Sequence, residues 1–92
     1  MKPLRFSPRA DADLNSIVAY YAQVAPHALP NINADIEHGL DLIKDRPEQA
    51  ALVPDRDYRR YVTPRYRFKI FYRIRPTCID ILGIWRFQNR TA

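Results

Sequence analysis

From Tyr66 to Phe87 the chain keeps a two-residue rhythm, interrupted once at Pro76-Thr77. Tyr66, Phe68, Ile70, Tyr72 and Ile74 alternate with Arg67, Lys69, Phe71, Arg73 and Arg75. After the interruption, Ile79, Ile81, Gly83, Trp85 and Phe87 alternate with Asp80, Leu82, Ile84 and Arg86. Successive side chains of a strand point to opposite faces, so this period predicts two strands, each with one apolar side. A turn at Pro76-Thr77 folds them into a hairpin. That turn sets a register: Ile74 faces Ile79, Tyr72 faces Ile81, Phe68 faces Trp85 and Tyr66 faces Phe87. On the opposite side Arg73 meets Asp80, Phe71 meets Leu82 and Arg67 meets Arg86. All of these pairs but the last are stabilising cross-strand contacts. The Arg67–Arg86 pair is open to two readings, a site held ready for a phosphate or carboxylate, or two long side chains splaying into water.

The first half of the chain has a different period. Leu4 to Phe6 reads as a short strand. Ser7-Pro8 is a helix start, since the Ser side chain caps unpaired N–H groups and Pro suits the first helical position. Asp11 and Asp13 fall where negative charge complements the helix dipole. Ala10, Leu14, Ile17, Val18 and Tyr21 recur at helical spacing, and Pro26 ends the run. A second helix is predicted from near Pro26 or Pro30 to about Arg46, with Leu29, Ile32, Ile36, Leu40 and Ile43 as its stripe. Lys44 and Arg46 sit at its negative end, and Pro47 stops it. The short join predicts an antiparallel helix hairpin. Glu48 to Asp57 is a loop, Tyr58 to Val62 a further strand, and Pro64 its end. The expected fold is α+β, β-α-α-β-β-β, an antiparallel sheet packed against a helix hairpin, in one domain over residues 1–92.

Charge divides along the same line. Residues 56–92 hold ten basic and two acidic side chains, a net +8, whereas residues 1–55 hold five basic and eight acidic, a net −3. A basic sheet beside acidic helices points to an anionic partner, nucleic acid or acidic polypeptide. The apolar fraction of 47% is too high for a disordered tail. The single cysteine, Cys78, allows no internal disulfide and suits a reducing cytosol. No apolar run approaches a membrane span, and the opening MKPLRFSPRADADL turns polar too early for a signal peptide, so a cytoplasmic protein is expected.

Other chemistries find little support. His27 and His38 lie on predicted helices without Cys or acidic residues at ligand spacing, so no metal is expected. Cys78 has no nearby His, and Ser7 serves better as a cap than as a nucleophile. Gly39 and Gly83 are the only glycines, which excludes a glycine-rich phosphate loop. No cofactor is expected. Tyr20-Tyr21, Trp85 and Phe87 are read as core residues before stacking platforms for bases.

The order of these segments resembles the RelE/ParE superfamily of bacterial toxins from toxin–antitoxin operons. The stretch SPRADADLNSIVAYYAQVAP (Ser7 to Pro26) is similar to the family's "A..DL..I..Y......P". Ile32, Ile36, Leu40 and, less exactly spaced, Pro47 match its second-helix pattern. FKIFYRIRPTCIDILGIW (Phe68 to Trp85) is similar to its "YRI.YRI....I.IL.V.H". The resemblance implies the same β-α-α-β-β-β fold, a cognate antitoxin and one of two activities. RelE-like members cut mRNA on the ribosome with basic residues and a C-terminal Tyr or His, whereas ParE-like members poison DNA gyrase.

The resemblance places Arg59 and Arg86 near family positions for basic residues, and Arg67 or Lys69 at the arginine of the "YR" motif. Were the chain a nuclease, Arg59, Arg67 and Arg86 would be its catalytic candidates. Yet no Tyr follows Tyr72 and no His follows His38. Cleaving RNA through its 2′-hydroxyl needs proton donors and acceptors. Arginine is a poor base, although it stabilises developing negative charge. Only Tyr58, Tyr61 or Glu48 remain to be recruited. The residues therefore favour a ParE-like binder of a target protein such as gyrase. The ribosome-dependent endoribonuclease is the alternative, and a plain nucleic-acid-binding module a third reading from charge alone. The expected target- or anion-binding residues are Arg59, Arg60, Arg65, Arg67, Lys69, Arg86 and Arg90.

Overall fold

The computed structural model describes residues 1–86. A short strand β1 (Leu4–Phe6) leads into helix α1 (Pro8–Val24). Ser7 is the cap: it is extended, and its Oγ accepts the Ala10 amide at 3.0 Å, satisfying one of the orphan donors of the first turn. Pro26 opens a single 3-10 turn (Pro26–Ala28) that runs directly into α2 (Leu29–Asp45). The sheet strands follow as β2 (Arg59–Val62), β3 (Lys69–Ile74) and β4 (Ile79–Trp85). The α+β class and element order are those predicted.

The sheet has the order β1-β4-β3-β2. The β2–β3 and β3–β4 pairs are antiparallel, but β1 lies parallel to β4 on the far edge, so the sheet is mixed. One side of it carries the helices. There Ile17 of α1 and Ile32, Ile36 and Ile43 of α2 bury against Phe68, Ile70, Tyr72, Ile79, Ile81 and Ile84. Burying each such side chain contributes about 1.5–3 kcal/mol.

The predicted hairpin register holds only beside its turn. Ile74 faces Ile79, Arg73 faces Asp80 and Tyr72 faces Ile81. Leu82 is then an extra residue, a β-bulge, beyond which Phe71 faces Gly83, Ile70 faces Ile84 and Lys69 faces Trp85. The expected pairs Phe68–Trp85, Phe71–Leu82 and Arg67–Arg86 do not form, and Phe87 lies outside the described residues. Strict alternation would have aimed Gly83 at the core and Ile84 at solvent. A one-residue slip exchanges the faces, so the branched Ile84 becomes 2% exposed while Trp85, expected in the core, turns outward to 42%. The α1 end of the molecule holds the bulge in place where β1 has stopped. Ser7 donates its amide to the Ile81 carbonyl (3.0 Å) and its hydroxyl to the Leu82 carbonyl (3.1 Å), and Asp13 accepts the Ile84 amide (3.0 Å).

Strand β3 also starts later than the alternation predicts, at Lys69 rather than Tyr66. Residues 64–67 form a turn in which Arg67 adopts φ 63°. Thr63 closes it, its amide donating to the Phe68 carbonyl and its Oγ1 accepting the Phe68 amide, both at 2.9 Å. From α2, the buried Asp35 carboxylate accepts the amides of Arg65 (3.2 Å) and Tyr66 (2.9 Å).

Candidate functional site

The side of the sheet away from the helices is defined by the register. Arg60 lies opposite Phe71, Lys69 opposite both Val62 and Trp85, and Asp80 between Arg5 and Arg73. Three rings cross this face. Tyr58 meets Phe71 edge to face at 6.0 Å between centroids, and Phe71 meets Trp85 in the same manner at 5.6 Å. Together with Arg9, Leu82 and Gly83 they line a groove of about 260 Å³.

Some cations around the groove are already matched. Arg73 pairs with Asp57 at 3.0 Å, Arg75 with Asp80 at 3.2 Å and Arg9 with Asp13 at 3.0 Å. Among the described residues no carboxylate pairs with Arg60 or Lys69. The outer face therefore combines exposed ring surface with two cations available to an anionic partner.

The residues singled out from the sequence do not gather into one patch. Arg59 shares the inner side of the sheet with Tyr72. Its guanidinium donates to the carbonyls of Ala50 (2.7 Å) and Glu48 (3.2 Å), pinning the loop after α2. Arg65 and Arg67 belong to the β2–β3 turn, where the Arg65 guanidinium lies 5.6 Å from the Tyr66 ring. Arg86 turns back to α1 and stacks over Tyr20 at 3.9 Å. Arg60 and Lys69 alone of the set face outward from strands, and Arg90 lies outside the described residues. Arg59 and Arg86 are thus held by different parts of the fold, while Arg67 sits in the β2–β3 turn. The physical cause is the combination of bulge, turn and inward-facing Arg59.

Proton-transfer groups are equally dispersed. Burial raises the Tyr61 hydroxyl above its ordinary value, and the Asp35 carboxylate pushes in the same direction. Burial also raises Tyr72, against an opposing pull from Arg59. Raised values keep these hydroxyls protonated, the wrong direction for a base. His27 and His38 lie on the helical segments, away from the outer face. No cluster of three or more His, Cys, Asp or Glu suited to a metal occurs among the described residues. The arrangement is equipped to bind.

Sequence reasoning missed the ring cluster and the two carboxylates that hold backbone, Asp13 and Asp35. Phe71, an aromatic on the polar side of its strand, was the one available signal for the former. For Asp35 the signal was its position within the Ile32–Ile36 stripe.

A helix hairpin over a mixed four-stranded sheet, with its outer face left cationic and aromatic, is the architecture of a RelE/ParE-type toxin. The family described as "ParE toxin of type II toxin-antitoxin system, parDE" matches residues 4–90, and the chain belongs to it, a ParE-like toxin of a type II toxin–antitoxin system. Ten chains of solved structures match. One of them, from the "Chromosomal ParDE TA system from P. aeruginosa", superposes with a TM-score of 0.76 at 25% identity, covering 94% of this chain and 96% of that one. None of the curated proteins matches this chain.

Proposed function

We propose that this toxin arrests growth by binding a target protein, DNA gyrase, through the outer face of its sheet, and that a cognate antitoxin neutralises it in the cytoplasm. Family membership over residues 4–90 is the observation that carries this reading. The geometry supports it by offering, on one open surface, rings and two cations that no carboxylate among the described residues pairs with, while Arg59 and Arg86 are engaged elsewhere. Arg59 is engaged by the Glu48 and Ala50 carbonyls and Arg86 by the Tyr20 ring, so these two do not converge on a phosphodiester, which disfavours mRNA cleavage. The antitoxin contributes an acidic segment that folds over the basic surface or the helix hairpin on binding.

The direct test is supercoiling by purified DNA gyrase. Addition of the toxin should inhibit it, and prior mixing with the antitoxin should restore it. Supercoiling that stays at its full rate under excess toxin would reject gyrase as the target.

A further inference from the structure

The groove on the outer face is unexplained by the packing of the chain itself. It exists because the Leu82 bulge turns Trp85 outward and leaves Gly83 without a side chain between Phe71 and the α1 edge. The result is a recess with aromatic walls on a surface that is otherwise charged. We propose that this recess takes a single apolar side chain from an acidic segment of the target polypeptide, with Arg60 and Lys69 engaging the carboxylates on either side of it. The proposal rests on the reading of the chain as a target-binding toxin and specifies what that target presents.

Size comes first. At about 260 Å³ the recess is smaller than the roughly 300–1,000 Å³ typical of small-molecule sites, and is matched to one large side chain. Its walls are rigid aromatic rings, the kind of surface that anchors hot-spot residues at protein interfaces. Charge supplies the second argument. Arg60 is the direct cross-strand neighbour of Phe71, and Lys69 that of Trp85, so each available cation stands beside a wall of the recess. On its far side Arg9 lies 6.0 Å from the Trp85 ring but is already held by Asp13. Anionic groups flanking an apolar anchor would therefore meet positive charge on the β2–β3 side.

Single-stranded nucleic acid fits less well. Bases stack on exposed ring faces that follow one another along a strand. Here the interplanar angles are 86° and 68°, so the rings close against one another edge to face instead of forming a platform. A phosphate track also needs a row of unpaired cations, whereas Arg9, Arg73 and Arg75 are each tied to a carboxylate.

Trp85 is the only tryptophan in the chain and forms a wall of the groove, so its fluorescence reports on binding there, and Phe71→Ala separates that signal from binding on the α1 side of the ring. The full chain is titrated with a short peptide of Asp and Glu around one central Phe, with the same peptide carrying Gln and Asn in place of the acids, and with a short oligothymidylate. The acidic peptide should shift and saturate the Trp85 emission and bind about tenfold more tightly than its neutral counterpart. Phe71→Ala should weaken that binding by about tenfold or more. The double variant R60E/K69E, which leaves the rings untouched, should remove the preference for the acidic peptide, and thermal melting confirms that each variant is folded. Emission that ignores the acidic peptide, equal binding of the two peptides, or tighter binding of oligothymidylate would each overturn the proposal. Failure of this inference and failure of the gyrase reading are separable. Peptide binding without gyrase inhibition preserves the groove and removes gyrase, while full gyrase inhibition by folded Phe71→Ala toxin does the reverse.

Discussion

Tyr72 shows how one side chain serves core and loop together. Its ring is fully buried beneath the helices, yet its hydroxyl reaches the Pro47 carbonyl, and its strand neighbour Arg59 binds the carbonyls of Glu48 and Ala50. The loop after α2 is thus fastened by two polar tips carried on the inner side of the sheet. Burial raises the hydroxyl of Tyr72, and burial with Asp35 raises that of Tyr61, above the ordinary 10.0. A raised folded-state value favours the protonated form, so the stability these groups contribute is fully present below pH 10.0 and is lost as pH climbs through their folded-state values. Melting temperature measured against pH should hold steady near neutrality and fall on the alkaline side. In Tyr72→Phe the alkaline fall should be shallower, and the neutral-pH stability lower by about 1 kcal/mol because the Pro47 carbonyl loses its donor. An unchanged alkaline slope in that variant would show that another group governs it.

At the level of elements, most of the architecture was legible because its signals were local. The Ser7-Pro8 cap, the helical stripes and the prolines at 26, 47 and 64 mark element ends by stereochemistry that acts within a few residues. What escaped was non-local. No period in β4 announces the bulge, because it arises from competition between Gly83 and Ile84 for the core, won by the larger apolar side chain. Once the register slipped, the pairing of Arg67 with Arg86 and the interior place of Trp85 went with it. The β2–β3 turn had a similarly distant cause, the carboxylate of Asp35, which reaches from α2 to the amides of Arg65 and Tyr66. Two partly buried backbone donors depend on it, and Arg67 is held at a positive φ next to them. Asp35→Ala should therefore lower stability by about 2–3 kcal/mol, since two amides lose a charged acceptor. Asp35→Asn, which keeps one acceptor oxygen, should fall between that variant and the wild type. Chemical denaturation of the three proteins checks the order, and amide exchange should quicken first at residues 65 and 66. Equal stability of Asp35→Ala and wild type would mean that the turn is held by Thr63 alone.

For the molecule as a whole, the separation of charge that the sequence displays becomes a separation in space. The acidic half forms the edge strand β1 and the two helices, and the basic half the other three strands, with no carboxylate among the described residues paired to Arg60 or Lys69 on the open side. Surface ion pairs such as Arg73–Asp57 add at most about 1 kcal/mol to stability, so the excess positive charge has little to do with holding the fold. Its physical consequence lies in encounter. A one-sided field orients an anionic partner before contact and raises the association rate, and salt screens it over about 8–10 Å at physiological strength. For the binding mode proposed above, dissociation would be governed instead by the short-range fit of the aromatic groove. Were the proposed target, DNA gyrase, to bind this face, its two rates, followed in stopped flow, should respond differently. Raising salt from about 50 to 200 mM should slow association by several-fold and leave dissociation almost unchanged. R60E/K69E should associate slowly at low salt and lose most of the salt dependence, whereas Phe71→Ala should associate at nearly the wild-type rate and dissociate faster. If salt altered dissociation alone, the cations would be acting within the bound interface, and steering by the open face would have to be abandoned.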